Sequence, residues 1–303
     1  MVLDIYQAVT DRIIELLEEG TVPWRHPIKN AGGDALPRNL ISDKKYQGIN
    51  VFLLAVTAWI EGYESPYWLT FKQARERGGH VRKGEKGSLV IFWKQHATTD
   101  KQTGDPVVIP VLRHFTVFNT AQCDGLDVPG GADDIPATPM VEPIRAADAI
   151  VECYEHGPRI EHAGGRAYYR PSEDLVRLPE PARFVDAESY YATLFHELAH
   201  STGHASRLDR GLGTKLAPFG SPDYSKEELV AEMGAAFLAA AAGISPPTIE
   251  QSAAYIESWR KQLKADKKLV VQAAGAGQRA ADWILGVKPA PRTNDTAQPT
   301  VSP

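Results

Sequence analysis

The sequence Ser189-Tyr-Tyr-Ala-Thr-Leu-Phe-His-Glu-Leu-Ala-His200 predicts a helix that binds a metal ion. Its apolar residues, Leu194 and Phe195 among them, recur with the period of one buried helical face. On such a helix, His196 and His200 stand one turn apart on the same side. Both imidazoles can therefore reach a single Zn²⁺ ion.

The glutamate between the two histidines indicates the chemistry. Glu197 would lie beside the open position of the metal, where a bound water is acidified and a carboxylate can take its proton. Asp186 or Ser189 can cap the start of the helix, and Gly203 can stop it. The alternative, a surface helix with two solvated histidines, does not explain the apolar stripe. The motif therefore predicts zinc-dependent hydrolysis, most often of a peptide bond.

A catalytic zinc site usually takes three protein ligands and leaves one position for water. His204 is the nearest further candidate, but it falls just beyond His200 near the expected helix end. The three-histidine pattern with a glycine would require a histidine at position 206, which is Ser206. That class of metallopeptidase is disfavoured.

A second predicted helix, residues 225–238, offers two acidic candidates. Glu228 and Glu232 share a helical face, so one could ligate zinc while the other orients a histidine. The pattern Glu228-x-x-Ala231-Glu232 resembles that of the glutamate-ligand (gluzincin) metallopeptidases, which implies Glu228 as the ligand and Glu232 as its support. Ser225 and Glu228 also fit a capping box, which is the purely structural alternative.

The composition is that of a globular protein, with 43% hydrophobic and 23% charged residues in a chain of 303. Cys123 and Cys153 are its two cysteines, which excludes a disulfide framework and a thiolate zinc cluster. Asp4, Asp11 and Arg12 interrupt the first apolar residues, so we expect no secretory signal. No apolar run approaches transmembrane length. We expect a cytoplasmic protein without a membrane partner.

Charge divides the chain into two parts. Residues 20–123 hold 14 Lys and Arg against 8 Asp and Glu, whereas residues 124–303 have a net charge of −7. A basic module fused to an acidic one suggests different partners for each. We predict a DNA-binding domain over 1–125, a linker over 126–143, a metallopeptidase domain over 144–287 and a disordered tail over 288–303.

The predicted fold class is α+β. The small mixed N-terminal domain would contain helices over 4–19, 51–60 and 69–77 and an antiparallel hairpin of strands 88–94 and 110–119. The second domain would be mainly helical, with a small antiparallel sheet. Its predicted elements are helices near 146–154, 251–264 and 268–285, besides the two already named, and strands 166–169 and 174–179.

The basic module has the composition of a site for single-stranded nucleic acid. A glycine-rich basic loop, residues 79–87, feeds a strand, and residues 20–123 carry 12 of the 26 aromatic residues. The candidate DNA-binding residues are Arg82, Lys83, Lys86, Lys72, Arg75, Tyr46, Trp68 and Trp93. The alternative is a solvated basic face over buried core aromatics. No helix-turn-helix or zinc-finger spacing supports sequence-specific binding.

These motifs together resemble the ArdC-type antirestriction proteins of conjugative plasmids over nearly the whole chain. The resemblance rests on Gly20-Thr-Val-Pro-Trp24, Tyr46-Gln-Gly-Ile-Asn50, Arg82-Lys-Gly-Glu-Lys-Gly87 and the two metal-site helices. Ser201 departs from the tryptophan that relatives often carry. The resemblance implies an N-terminal single-stranded-DNA-binding domain, a C-terminal zincin-like metallopeptidase domain and a role in protecting incoming plasmid DNA from host restriction.

The resulting hypothesis assigns a role to each site residue. His196, His200 and Glu228 would bind Zn²⁺ or another divalent metal, Glu197 would act as general base, and His204 or Tyr224 would stabilise the oxyanion. The partners would be single-stranded DNA and a host restriction enzyme or another protein substrate. Two alternatives stay open. One is a cytosolic zinc metalloprotease with the basic domain as specificity module, and the other is a DNA-shielding protein whose metal is structural.

Overall fold

The computed structural model describes residues 3–25, 36–99, 105–129, 143–212, 222–244 and 253–288. Most of the predicted linker and all but Lys288 of the predicted tail lie outside these ranges.

The N-terminal region is a mixed unit of helices and short strands. Its elements are α1 (Ile5–Glu18), β1 (Arg38–Asn39), α2 (Ile49–Glu61), β2 (Tyr67–Thr70), α3 (Phe71–Glu76), β3 (His80–Val81), β4 (Ser88–Thr99), β5 (Pro106–Asn119) and β6 (Cys123–Asp124). Asp4 caps α1 by accepting the amide of Gln7 at 3.1 Å. The predicted helix over 69–77 begins later, because Leu69 lies in β2 and Thr70 caps α3.

The main N-terminal sheet has the strand order β1-β2-β5-β4. Strands β4 and β5 form the predicted antiparallel hairpin, which is longer than the sequence indicated. Asn50 of α2 covers the edge of β4, since its side-chain amide accepts from the Ile91 amide at 2.8 Å and donates to the Ile91 carbonyl at 2.7 Å. Beyond Ile91, the two strands continue as an arm that carries several exposed apolar residues.

The C-terminal region is mainly helical with a small sheet. Its elements are α4 (Pro143–Glu152), β7 (Arg159–His162), β8 (Tyr168–Arg170), β9 (Leu175–Leu178), α5 (Ala187–Ser201), α6 (Pro222–Ala242), α7 (Ala253–Ala265) and α8 (Leu269–Ile284). The predicted hairpin of β8 and β9 is confirmed. The sheet is not purely antiparallel, however, because β7 pairs with β9 in parallel. The short sequence Arg159-Ile-Glu-His162 carries too little apolar periodicity to reveal this strand.

Helices from both regions share one hydrophobic core. Phe52 of α2 meets Phe237 of α6 with ring centroids 4.8 Å apart, and Trp24 meets Trp259 of α7 at 5.1 Å. The hydroxyl of Thr10 in α1 donates to the Lys267 carbonyl at 2.8 Å. The predicted domain limits remain a proposal, since burial is continuous across the two regions. Among the described helices, none has the length and apolar content to cross a bilayer.

Candidate metal centre

Helix α5 positions the two histidines as the sequence predicts. Asp186 caps its start by accepting the Ser189 amide at 2.7 Å. Leu194 and Leu198 bury the opposite side of the helix, so His196 and His200 turn towards a cleft, where both are half-buried. Their Nε2 atoms lie 3.1 Å apart.

Helix α6 brings a carboxylate to the same point. The Oε2 atom of Glu228 lies 3.6 Å from Nε2 of His196, and its Oε1 atom lies 3.5 Å from Nε2 of His200. Ligand atoms about 2.0–2.1 Å from a tetrahedral Zn²⁺ would stand roughly 3.3 Å from one another. The three side chains therefore fit a single small divalent ion, and among the described residues they form the one group of this kind.

The close approach of three helices fixes this geometry. Gly234 of α6 faces Ala199 of α5, and a Cβ atom added at Gly234 would lie 2.9 Å from the Ala199 methyl group. A Cβ atom at Gly277 of α8 would lie 2.9 Å from the Gly234 backbone nitrogen. Larger side chains at these crossings would push the backbones apart and separate Glu228 from the histidines.

Glu227 and Arg210 support the cluster from behind. Glu227 Oε1 lies 3.2 Å from Nδ1 of His200, which directs the Nε2 atom of that ring towards His196 and Glu228. Arg210 donates to both oxygens of Glu227, at 3.0 and 2.6 Å, and to the Ala199 carbonyl at 2.9 Å. Neither residue is predicted from the sequence as part of the site. The signal that could have identified Glu227 is its position directly before Glu228. Consecutive residues point in different directions from a helix, so one of the two acids can meet the metal while the other contacts a histidine from another side.

The electrostatics of the cluster favour charged carboxylates. Burial opposes ionisation of Glu228, but its hydrogen bonds with His196 and His200 outweigh burial and lower its pKa. The pKa of Glu227 is lowered in the same way, against burial, by His200 and Arg210. Burial alone would lower the pKa of His200, yet the two carboxylates outweigh it and raise that pKa to about 10. At neutral pH two ionised carboxylates therefore face a protonated His200, whose proton a metal ion would replace.

The other predicted site residues lie apart from the cluster or outside what can be described. Glu232 lies one turn beyond Glu228 and binds Arg25, whose Nε donates to it at 3.0 Å, so Glu227 makes the contact that the sequence assigned to Glu232. His204 follows α5, where its Nδ1 atom lies 2.8 Å from the Ser206 hydroxyl. Tyr224 belongs to α6, but its side chain falls outside the described part of the structure.

The cluster lies in a cleft of about 1080 Å³. Glu197, buried and next to His196 in sequence, lines this cleft together with Arg210. Tyr6 of α1 and Trp93 of β4 line it as well, so the N-terminal region contributes to the wall around the metal site. No pattern in the sequence indicated this contribution.

Comparison with known proteins agrees with this architecture. A family described as the N-terminal domain of anti-restriction factor ArdC matches residues 3–118, and a zincin-like metallopeptidase family matches residues 145–276. The solved metal-free ArdC protein from plasmid R388 is 42% identical, with a TM-score of 0.73, over 93% of this chain and 97% of that one. The chain belongs to the ArdC family of antirestriction proteins. The Mn(II)-bound ArdC structure is 39% identical, with a TM-score of 0.74, over 98% of this chain and 100% of that one.

Two further proteins are similar in sequence to this ArdC family member. Protein y4eC of Sinorhizobium fredii (strain NBRC 101917 / NGR234), described as uncharacterized, is 39% identical over 93% of this chain and 91% of its own length. The DNA primase TraC of Escherichia coli is 37% identical over 98% of this chain. The chain spans only 28% of that primase, so the likeness concerns one part of a longer protein.

The basic residues predicted for DNA binding in this ArdC family member are all exposed. They are Lys72, Arg75, Arg82, Lys83 and Lys86. The guanidinium of Arg82 donates to Glu85 at 2.8 Å and to the Ala121 carbonyl at 2.6 Å, which holds the glycine-rich loop in shape.

The three aromatic residues predicted for DNA binding differ in their exposure to solvent. Tyr46 is only 4% exposed and Trp68 only 1%, so neither offers a face on which a base could stack; both are part of the core, and their assignment as DNA-binding residues is corrected. Trp93 is 55% exposed and stands on the cleft side of the arm. Composition could not separate these three residues, because burial depends on which sheet face meets the helices.

Proposed function

We propose that this protein protects DNA entering the cell on a conjugative plasmid from host restriction, and that it joins single-stranded-DNA binding to a metal-dependent peptidase centre. The observation that carries the proposal is the cluster of His196, His200 and Glu228, whose ligand atoms lie 3.1–3.6 Å apart in a cleft large enough for a polypeptide segment. We place this activity in the cytoplasm.

The two histidines and Glu228 would hold the ion. Two imidazoles and one carboxylate suit Zn²⁺, and the R388 ArdC protein has been solved with Mn(II), so we propose either metal for this chain. When bound, such an ion would supply Lewis acidity to a water and to a peptide carbonyl.

Glu197 is the proposed general base. Its carboxylate lines the cleft beside the ligand His196 and would accept a proton from the attacking water and pass it to the leaving amine. Tyr224, near the start of α6, is the proposed hydrogen-bond donor to the developing oxyanion. Glu227 and Arg210 would keep His200 oriented during these steps.

The proposed partners are single-stranded DNA and a protein substrate, such as a host restriction enzyme. The exposed cations of the loop, Arg82, Lys83 and Lys86, would neutralise phosphates without reading sequence. The second candidate function is a cytosolic metalloprotease in which the N-terminal region selects protein substrates. The presence of Tyr6 and Trp93 in the cleft wall also favours this second candidate, because these N-terminal side chains would contact a protein substrate in the cleft.

A restriction-protection assay tests the peptidase part. Cells expressing wild type or Glu197→Gln receive unmodified plasmid DNA, and the surviving transconjugants are counted. We expect Glu197→Gln to lose protection while keeping metal and oligonucleotide binding, because only the proton acceptor is removed. Glu188→Gln, an exposed glutamate in the first turn of the same helix, should protect fully.

Full protection by Glu197→Gln would instead favour DNA shielding with a structural metal. A wild-type protein that fails to retard a single-stranded oligonucleotide at physiological salt would favour the metalloprotease candidate.

A further inference from the structure

An aromatic and basic rim stands at the mouth of the metal cleft. Tyr6 and Trp93 line the cleft side by side, with ring centroids 6.4 Å apart, and the Lys268 ammonium group lies 5.6 Å from the Tyr6 ring. These residues come from α1, β4 and the start of α8, so the rim is formed only in the folded chain.

Helix α8 extends this rim along the cleft. Gln272 and Arg279 are exposed and line the cleft on the same helical face, with the small residues Gly275 and Ala276 between them. From Lys268 to Arg279 the helix rises about 16 Å. The small residues leave an open track on which an extended chain can lie between two cations.

The sign of the charge favours a polyanion on the rim. Lys268 and Arg279 are exposed cations on it, and Lys226 is an exposed cation of the cleft lining. Two acidic residues of the lining belong to the candidate metal site. Glu227 is hydrogen-bonded to His200 and Arg210, and Glu228 contacts both histidines. These two carboxylates are therefore paired within the cluster, while the exposed charged side chains Lys226, Lys268 and Arg279 are all cations.

The exposed ring of Trp93 matches this charge. Trp93 presents more than half of its surface to solvent beside a second ring and a cation, an arrangement on which unstacked bases bind. The glycine-rich loop lacks such a partner among the predicted aromatics, because Tyr46 and Trp68 are buried. Of the three aromatic residues predicted for DNA binding, Trp93 is thus the one with a face available to a base.

We propose that single-stranded nucleic acid lies across this rim, with a base on Trp93 beside Tyr6 and phosphates at Lys268 and Arg279, and that the bound strand covers the mouth of the metal cleft. DNA and a polypeptide then compete for the same entrance. This inference rests on the proposed single-stranded-DNA binding and adds where the strand lies and that it controls access to the metal site.

Binding of a fluorescein-labelled dT20 oligonucleotide to the full chain, followed by anisotropy, tests the location. Trp93→Ala should weaken binding roughly 5- to 100-fold through the loss of one stacked base. Trp59→Ala is the matched control, since Trp59 on α2 is 53% exposed, as Trp93 is 55%, but does not line the cleft. Thermal melts of both variants verify that the fold is intact.

A charge variant tests the phosphate contact separately. Lys268→Gln should lower the affinity for dT20 and reduce the slope of its salt dependence by about 0.7. Lys94→Gln is the control, because Lys94 follows Trp93 in β4 and points to the other face of the arm. It should leave the slope nearly unchanged.

Competition at the entrance tests the occlusion. In protein loaded with Co²⁺, binding of a peptidyl hydroxamate to the metal is followed by the visible spectrum, with and without saturating dT20. We expect the oligonucleotide to raise the apparent Kd of the hydroxamate at least tenfold in wild type, and much less in Trp93→Ala at the same oligonucleotide concentration.

Two results would overturn the inference while leaving DNA binding intact. One is a normal dT20 affinity in both Trp93→Ala and Lys268→Gln when Lys83→Gln and Lys86→Gln lose it, which would place the strand on the glycine-rich loop alone. The other is weaker hydroxamate binding in the rim variants with unchanged dT20 affinity, which would assign the rim to polypeptide. Failure of wild type to bind dT20 at all would instead refute the proposed DNA binding itself.

Discussion

The carboxylate of Glu227 lies 3.2 Å from Nδ1 of His200, while Nε2 of the same ring faces Glu228 at 3.5 Å. One imidazole is thus held between Glu227 and Glu228, the proposed metal ligand, which are neighbours in sequence. Once the ring is neutral, this arrangement would keep the proton on Nδ1 beside Glu227 and leave Nε2 for a metal.

We predict that Glu227→Ala lowers the affinity for Zn²⁺ or Mn²⁺ by about 10- to 100-fold, because the His200 ring loses the contact that orients it. Titration calorimetry or competition with a chelating dye measures this change. Glu232→Ala on the same helix should leave metal affinity unchanged, since Glu232 binds Arg25 instead. Equal losses in the two variants would contradict the assignment of Glu227.

Metal binding should release a proton at neutral pH. In the metal-free protein the pKa of His200 is raised to about 10, so the ring is protonated at pH 7, whereas a metal takes the neutral imidazole. The apparent affinity for Mn²⁺ should therefore rise about tenfold per pH unit between pH 6.5 and 8. Calorimetry in buffers of different ionisation enthalpy measures the released proton. A heat that is independent of the buffer would show that His200 is already neutral.

The contact between Arg25 and Glu232 should stabilise the packing of the N-terminal region on α6. The pair is mostly buried, and the Arg25 guanidinium also lies 5.9 Å from the Trp259 ring centroid. We expect Glu232→Ala to lower the free energy of unfolding by about 1–3 kcal/mol, between the values for exposed and buried pairs. Urea unfolding measures this effect. Glu257→Ala, which removes one of the two exposed carboxylates paired with Arg260, should have a smaller effect.

A buried ion pair anchors the β8–β9 hairpin that borders the cleft. The side chain of Arg207 is 1% exposed, and it donates to Asp174 Oδ2 at 3.0 Å and to the Tyr169 hydroxyl at 3.2 Å. Asp174→Ala would leave the guanidinium buried without its carboxylate, which costs about 3–5 kcal/mol of stability in comparable pairs. Chemical denaturation at pH 7 measures this loss.

The same pair predicts how stability depends on pH. Burial opposes ionisation of Asp174, but hydrogen bonds from Arg207 and Tyr169 outweigh it and lower its pKa below the ordinary 3.8. The unfolded chain then binds this proton first as pH falls. The stabilisation by Asp174 is therefore complete above about pH 4 and declines at lower pH. In Asp174→Asn this part of the acid dependence should be absent, and an unchanged acid profile would exclude the contribution.

The local features of this protein were determined by its sequence alone. The helix carrying His196 and His200, the β4–β5 hairpin and the α+β class follow from the period of apolar residues and from capping and turn residues within each segment. Such patterns depend on a few neighbouring residues, so they can be recognised without knowledge of the rest of the fold.

Only the tertiary structure decides which of several neighbouring residues meets the histidines and which aromatic side chain is exposed. Helical spacing places Glu228 and Glu232 on one face, but the crossing of α6 with α5 determines which turn meets the histidines and makes Glu227 the supporting acid. In the same way, packing buries Tyr46 and Trp68 and leaves Trp93 exposed. Helix α5 with its two histidines was therefore determined by local sequence. The shape and charge of the cleft around it depend instead on contacts between segments far apart in the chain. Their relative positions are set by the shared core and are not encoded in any short stretch of sequence.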